Sequence, residues 1–117
     1  AVHAGAPTAA DTDWSQIVSL YDHLLALRPN VVVAVNRAVA VSEHQGPEAG
    51  LDALAGVDAD AADAYQGFHA TRADLLRRTG RTGEAVAAYD RALALTTNPA
   101  EAEFLRGQRD EAAGRPG

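Results

Sequence analysis

Val35-Asn-Arg-Ala-Val-Ala-Val-Ser-Glu-His-Gln-Gly46 and His69-Ala-Thr-Arg-Ala-Asp-Leu-Leu-Arg-Arg-Thr-Gly80 end on glycines thirty-four residues apart, and small or apolar positions recur between them. Shifted by that period, Val39 falls on Ala73, Val41 on Leu75, Ser42 on Leu76, Leu51 on Ala85 and Leu54 on Ala88. An apolar run, a glycine stop and a second apolar run at this period predict a repeated pair of antiparallel helices. Outward toward the N-terminus, Ile17, Tyr21, Leu24 and Pro29 fit the second half of an earlier copy. Ile17 shifts onto Leu51 and Ala85, and Tyr21 onto Ala55 and Tyr89, but Leu24 meets Asp58. The middle copy is therefore expected to have a short second helix ending near Gly56, with Asp58, Asp60 and Asp63 in an acidic connection.

Local signals place the helices. Asp13 and Gln16 form a capping-box-like start for a helix to about Leu27 with the stripe Trp14, Ile17, Val18, Tyr21, Leu24 and Leu25. Pro29 ends it, and Asn30 caps a second helix carrying Val32, Val35, Ala38 and Val39 to about His44. The β-branched run Val31–Val35 also suits a buried strand, but the segment continues through Asn36-Arg37-Ala38 without a turn signal, which favours helix. Gly46 supplies a C-terminal stop and Pro47 a first-turn start for a helix through about Leu54. One helix is expected over about Asp60 to Thr79 with Tyr65, Phe68, Leu75 and Leu76 inward. Gly80 closes it, and Thr82 caps the helix bearing Ala85, Val86, Tyr89, Ala92 and Leu93. Asn98-Pro99-Ala100-Glu101 opens a last helix to about Ala113.

The period resembles that of tetratricopeptide (TPR) repeats, so the expected fold is all-α: a TPR-like right-handed stack of antiparallel helical hairpins with about six helices. Residues 13–113 form that domain, 1–12 a linker or the end of a preceding helix, and 114–117 a frayed tail.

With 117 residues and 47% hydrophobic content the chain suits one domain. Alanine is abundant and aromatics are few, so the core must come from close helix packing on small side chains. There is no cysteine to form a disulfide or thiolate metal site. With neither a targeting pattern nor an apolar run of membrane-spanning length, a cytoplasmic location is expected. All ten basic residues are arginine and the formal net charge is -6, which disfavours direct binding to a phosphate backbone.

Ser15, Ser19 and Ser42 lack a nucleophile setting, and no Cys or Lys can substitute. His3, His23, His44 and His69 show no metal-ligand spacing, and no cofactor is implied. Asp11 and Asp13 resemble the opening of a calcium loop, but the later glycine and Glu are missing. Thr79-Gly80-Arg81-Thr82-Gly83 has no P-loop lysine and reads as a hairpin turn. Paired carboxylates such as Glu101 with Glu103 fit solvated helix faces. No acid-base pair can be assembled, so the chain is not expected to be an enzyme. Arg77, Arg78 and Arg81 form the one basic cluster, either a carboxylate clamp or arginines favoured by a helix C-terminus.

Asp11-Thr-Asp-Trp14 with Ile17, Leu20-Tyr21 and Leu24-Leu25, then Val35-Asn36-Arg37-Ala38-Val39-Ala40-Val41, Gly46-Pro47 and Arg72-Ala73-Asp74-Leu75-Leu76-Arg77-Arg78 with Gly80-Arg81, resemble a known family. It is the TPR-like C-terminal extension of a subgroup of bacterial extracytoplasmic-function (ECF) sigma factors, and the resemblance covers nearly the whole chain. It implies two sigma regions before residue 1 and a regulatory role for this chain. The partner would be those sigma regions, RNA polymerase or a regulator.

On such a stack the concave face would bring Asn36, Arg37, Ala40 and His44 beside Asp74, Arg77 and Arg78, the expected partner-facing residues. Arg37 could hold a partner carboxylate or pair internally with Asp74. Asn36 either bonds a bound backbone or satisfies a neighbouring helix terminus. Trp14 is expected as a core anchor. A generic TPR adaptor for another protein's peptide, or a small-ligand sensor, are the alternatives.

Overall fold

The Asp13 carboxylate accepts from the Gln16 N–H at 3.1 Å and from the Ser15 hydroxyl at 2.7 Å, fixing the start of α1 (Trp14–Leu27). The computed structural model describes residues 13–114, which contain seven α-helices and no strand. The expectations for residues 1–12 and 115–117 lie outside the described residues. Asn30 accepts from the Val32 and Val33 N–H groups and opens α2 (Val31–Gln45), so the Val31–Val35 run is helical. Gly46 ends α2 at φ 99° and ψ 166°, a conformation essentially reserved for glycine, and Pro47 begins α3 (Pro47–Ala55) directly after it. Asn98 accepts from the Ala100 and Glu101 N–H groups and opens α7 (Pro99–Ala112).

Two local expectations are corrected. The single helix over Asp60–Thr79 is broken into α4 (Ala59–Ala64) and α5 (Gln66–Arg78), giving seven helices instead of about six. Tyr65 separates them in an extended conformation, and its ring folds over Gly67, where a Cβ would lie 2.5 Å from the ring. That places Tyr65 with Phe68 against the cluster of Val35, Ala38, Leu54 and Leu75, a tertiary gain that outweighs helix continuity. The acidic connection thus contains a helix, capped by the Asp58 side chain through the Ala61 N–H. Thr82 does not cap α6 (Thr82–Leu95); it is the first helical residue, and Arg81 precedes it without a side-chain cap.

Consecutive helices joined by short links pack on one another: α1 on α2, α2 on α3, α5 on α6 and α6 on α7. α5 also packs on α2 and α3, which stacks one hairpin on the next. Ala73, Leu76, Ala85, Ala88, Tyr89, Ala92 and Leu105 form one buried cluster. Small side chains let helices approach closely, and one close approach is at Gly50. A Cβ there would meet the Ser42 Cβ at 2.7 Å and the Leu75 Cδ1 at 2.9 Å.

Across these two hairpins the burial pattern matches best one residue beyond the glycine spacing. Ala38, Ala40 and Val41 are buried as Ala73, Leu75 and Leu76 are, and Gly50 and Leu54 as Ala85 and Tyr89 are, a spacing of thirty-five. The glycines differ by thirty-four because the links differ: Gly46 alone joins α2 to α3, whereas residues 79–81 join α5 to α6. Across the outer segments the spacing is uniform. α1 begins and ends sixty-eight residues before α6, and Asn30 caps α2 as Asn98 caps α7.

Candidate functional site

The first helices of the two hairpins, α2 and α5, run side by side and leave a shallow groove of about 210 Å³. It is lined by Val39, Ser42, Glu43, Ala70, Thr71, Asp74, Leu75 and Arg78. Asp74 and Arg78, two of the expected partner-facing residues, are among them. Ala40 was expected but is buried, while Val39 lines the groove in its place. The one-residue slip in register accounts for that exchange.

One connected set of ionic contacts holds the groove wall. Asp74 accepts from Arg77 Nη2 at 2.6 Å and lies 3.0 Å from Arg78 Nε. Arg78 Nη1 reaches the Glu43 carboxylate across the groove at 3.8 Å. Glu43 was missed by the sequence reading; at the thirty-five-residue spacing it is the counterpart of Arg78, so the two stand on neighbouring helices with opposite charge. Arg77 turns from the groove toward the core, its Nε donating to the buried Tyr89 hydroxyl at 3.4 Å. Burial pushes the Tyr89 phenol above its ordinary value, and the Arg77 guanidinium opposes that shift. Bonding to Tyr89 and then to Asp74 raises Arg77 in turn. Arg77 is thus a link between groove wall and core.

The remaining expected residues do not join this set. Arg37 pairs with Asp22 on α1, Nε to Oδ1 at 2.6 Å, and not with Asp74. The α1–α2 packing decides this, because it brings an acidic residue of the preceding helix against that position. Both residues line a second groove of about 690 Å³ bounded by α1, α2, α3 and α4, with Leu25, Val31, Ala53 and Val57 among its apolar walls. Asn36 and His44 are exposed on α2, and neither side chain bonds another described residue. Arg81, in the basic cluster, is held by Glu48 on α3 at 3.0 Å. Trp14 is half-buried on α1 and lies in neither core cluster.

Chemically the α2/α5 groove offers an apolar floor at Val39 and Leu75 between a carboxylate and a guanidinium. A bound segment could exchange its own charges for the long Arg78–Glu43 contact at little cost, since an exposed pair contributes about 0–1 kcal/mol. Among the described residues no three His, Asp or Glu side chains converge as a metal site. No described helix is long and apolar enough to cross a membrane.

No family model matches the chain, and no solved structure matches it. An uncharacterized protein of Rhizobium meliloti (strain 1021) is 45% identical over 116 residues, a span covering 99% of this chain and 27% of that protein. The chain therefore spans about a quarter of the length of the curated relative it matches.

Proposed function

We propose that the chain is a TPR-like stack serving as a regulatory C-terminal protein-interaction domain of an ECF sigma factor, modulating transcription initiation by contacts with sigma regions, RNA polymerase or a regulator. The observation that carries this reading is the α2/α5 groove, where the first helices of successive hairpins present a side-chain-sized recess flanked by Glu43, Asp74 and Arg78. At about 210 Å³ it falls below the roughly 300–1,000 Å³ of small-molecule sites and suits one or two side chains of a docked polypeptide. The net charge of -6 argues for a protein partner over nucleic acid. Residues of a longer polypeptide lie outside the region matched in the relative, as a domain acting on its own chain requires.

The test is promoter-driven transcription by the full-length protein with and without residues 1–117, under resting and inducing conditions. The reading expects deletion to change output by about 5–150-fold in at least one condition, the usual span of a regulatory coupling. Arg78→Glu should reproduce part of that change. Unchanged output in both conditions ends the sigma-factor reading and leaves a peptide adaptor unconnected to transcription. A small-ligand sensor draws on a separate observation, the roughly 690 Å³ groove beside the Arg37–Asp22 pair, whose volume does lie in the ligand range. It requires a metabolite that shifts the melting temperature of the wild-type chain and not of Arg37→Ala.

A further inference from the structure

The outer face of α1 carries Leu20, Leu24 and Leu27 at 59%, 49% and 84% exposure, one helical stripe of three leucines with nothing over it among the described residues. The sixty-eight-residue spacing identifies what that stripe is. Leu20, Leu24 and Leu27 match Ala88, Ala92 and Leu95 on α6. Ala88 and Ala92 are 4% and 0% exposed, because α6 lies between α7 and the first helix of its own hairpin, α5, whose Ala73 and Leu76 share their cluster. Among the described residues α1 has the counterpart of α7, namely α2, but no counterpart of α5.

We infer that Leu20, Leu24 and Leu27 seat a further amphipathic helix, antiparallel to α1, which completes the hairpin to which α1 belongs and is supplied by the longer polypeptide outside residues 1–117. The register gives the occupant its form, and the relative gives its source: about three-quarters of that polypeptide lies outside the matched span. The segment 1–12 does not itself supply such a stripe, since Val2 is its single large apolar residue and Pro7 interrupts it. Leucine where α6 has alanine means that the seated helix stands farther from α1 than α5 does from α6, or presents small residues opposite the leucines. Uncovered repeat ends of this kind need a neighbour or a polar cap. The inference rests on the repeat geometry and not on the proposed transcriptional role.

Residues 1–117 contain no cysteine, so a reporter introduced among them is read at its own site. Leu24→Cys and Leu27→Cys are alkylated in the 117-residue chain and in the full-length protein, with Ala87→Cys on the exposed face of α6 as control. Labelling at each site is read by mass spectrometry and molecular mass by light scattering. Rapid labelling in the monomeric chain, at least about tenfold slower labelling on α1 in the full-length protein, and an unchanged control are expected. Leu20→Glu in the full-length protein should restore rapid labelling of Leu27→Cys. Equal α1 rates in both proteins overturn the inference. Slow labelling in the 117-residue chain also overturns it, assigning the face to a second copy if the mass doubles and to residues 1–12 if it does not.

Discussion

α6 and α1 occupy matching places in the repeat, sixty-eight residues apart from first residue to last, yet one buries Ala85, Ala88, Tyr89 and Ala92 and the other has no buried residue. Their start and stop are set locally. Among the described residues, burial follows the helices packed against each, α5 and α7 for α6 and α2 for α1. Side-chain size follows burial: α6 uses Ala85, Ala88 and Ala92 where helices close on it, and α1 carries Ile17, Leu20 and Leu24.

The largest separation between the two regions is expected at the matched tyrosines. Tyr89→Ala removes the largest fully buried side chain and strands Arg77, and should cost about 3–5 kcal/mol in urea denaturation. Tyr21→Ala, at a half-buried site, should cost clearly less; equal losses would break the comparison. Next comes overpacking. Ala85→Leu should destabilise by about 1–3 kcal/mol, while Leu24→Ala on α1 should stay within about 0.5 kcal/mol in the 117-residue chain.

Helix caps should erase the difference, because capping is local. Asn30→Ala and Asn98→Ala each remove a side chain that accepts two backbone N–H bonds, and each should cost about 0.5–2 kcal/mol. A cap effect at only one end would show that the sixty-eight-residue equivalence fails in energy as well as geometry. The smallest effect is the pH response of α1. The Ser15 hydroxyl, and then the Gln16 N–H, hold the Asp13 carboxyl below its ordinary 3.8. With the folded value lowered, the cap is fully present above about 3.8 and fades as pH falls through that lower value. An NMR titration of the Gln16 amide should therefore have its midpoint below 3.8, and a midpoint above it would contradict the bonding described.

The features legible in the sequence were those made by backbone chemistry close in the chain. Asp13, Asn30, Gly46-Pro47 and Asn98-Pro99 located helix ends to within a residue or so, because each satisfies or releases backbone groups of its own helix. The break at Tyr65 was not legible, since it depends on a ring reaching a cluster built by α2, α3 and α5. The register slip was hidden for a related reason: Gly46 and Gly80 align the links, whereas burial in the packed core matches one residue further on. From that slip follow the exchange of Ala40 for Val39 and the missed facing of Glu43 and Arg78. The Arg37–Asp22 pair needed the packing of α1 on α2, to which the internal period gives no side-chain detail.

Native-state amide hydrogen exchange on the 117-residue chain tests most directly whether α6 is closed on both sides and α1 on one. The account predicts that the central amides of α6 exchange only through global unfolding, while those of α1 exchange faster through a local opening that leaves α5 and α6 protected. Protection of α1 equal to that of α6 in the monomer would contradict it.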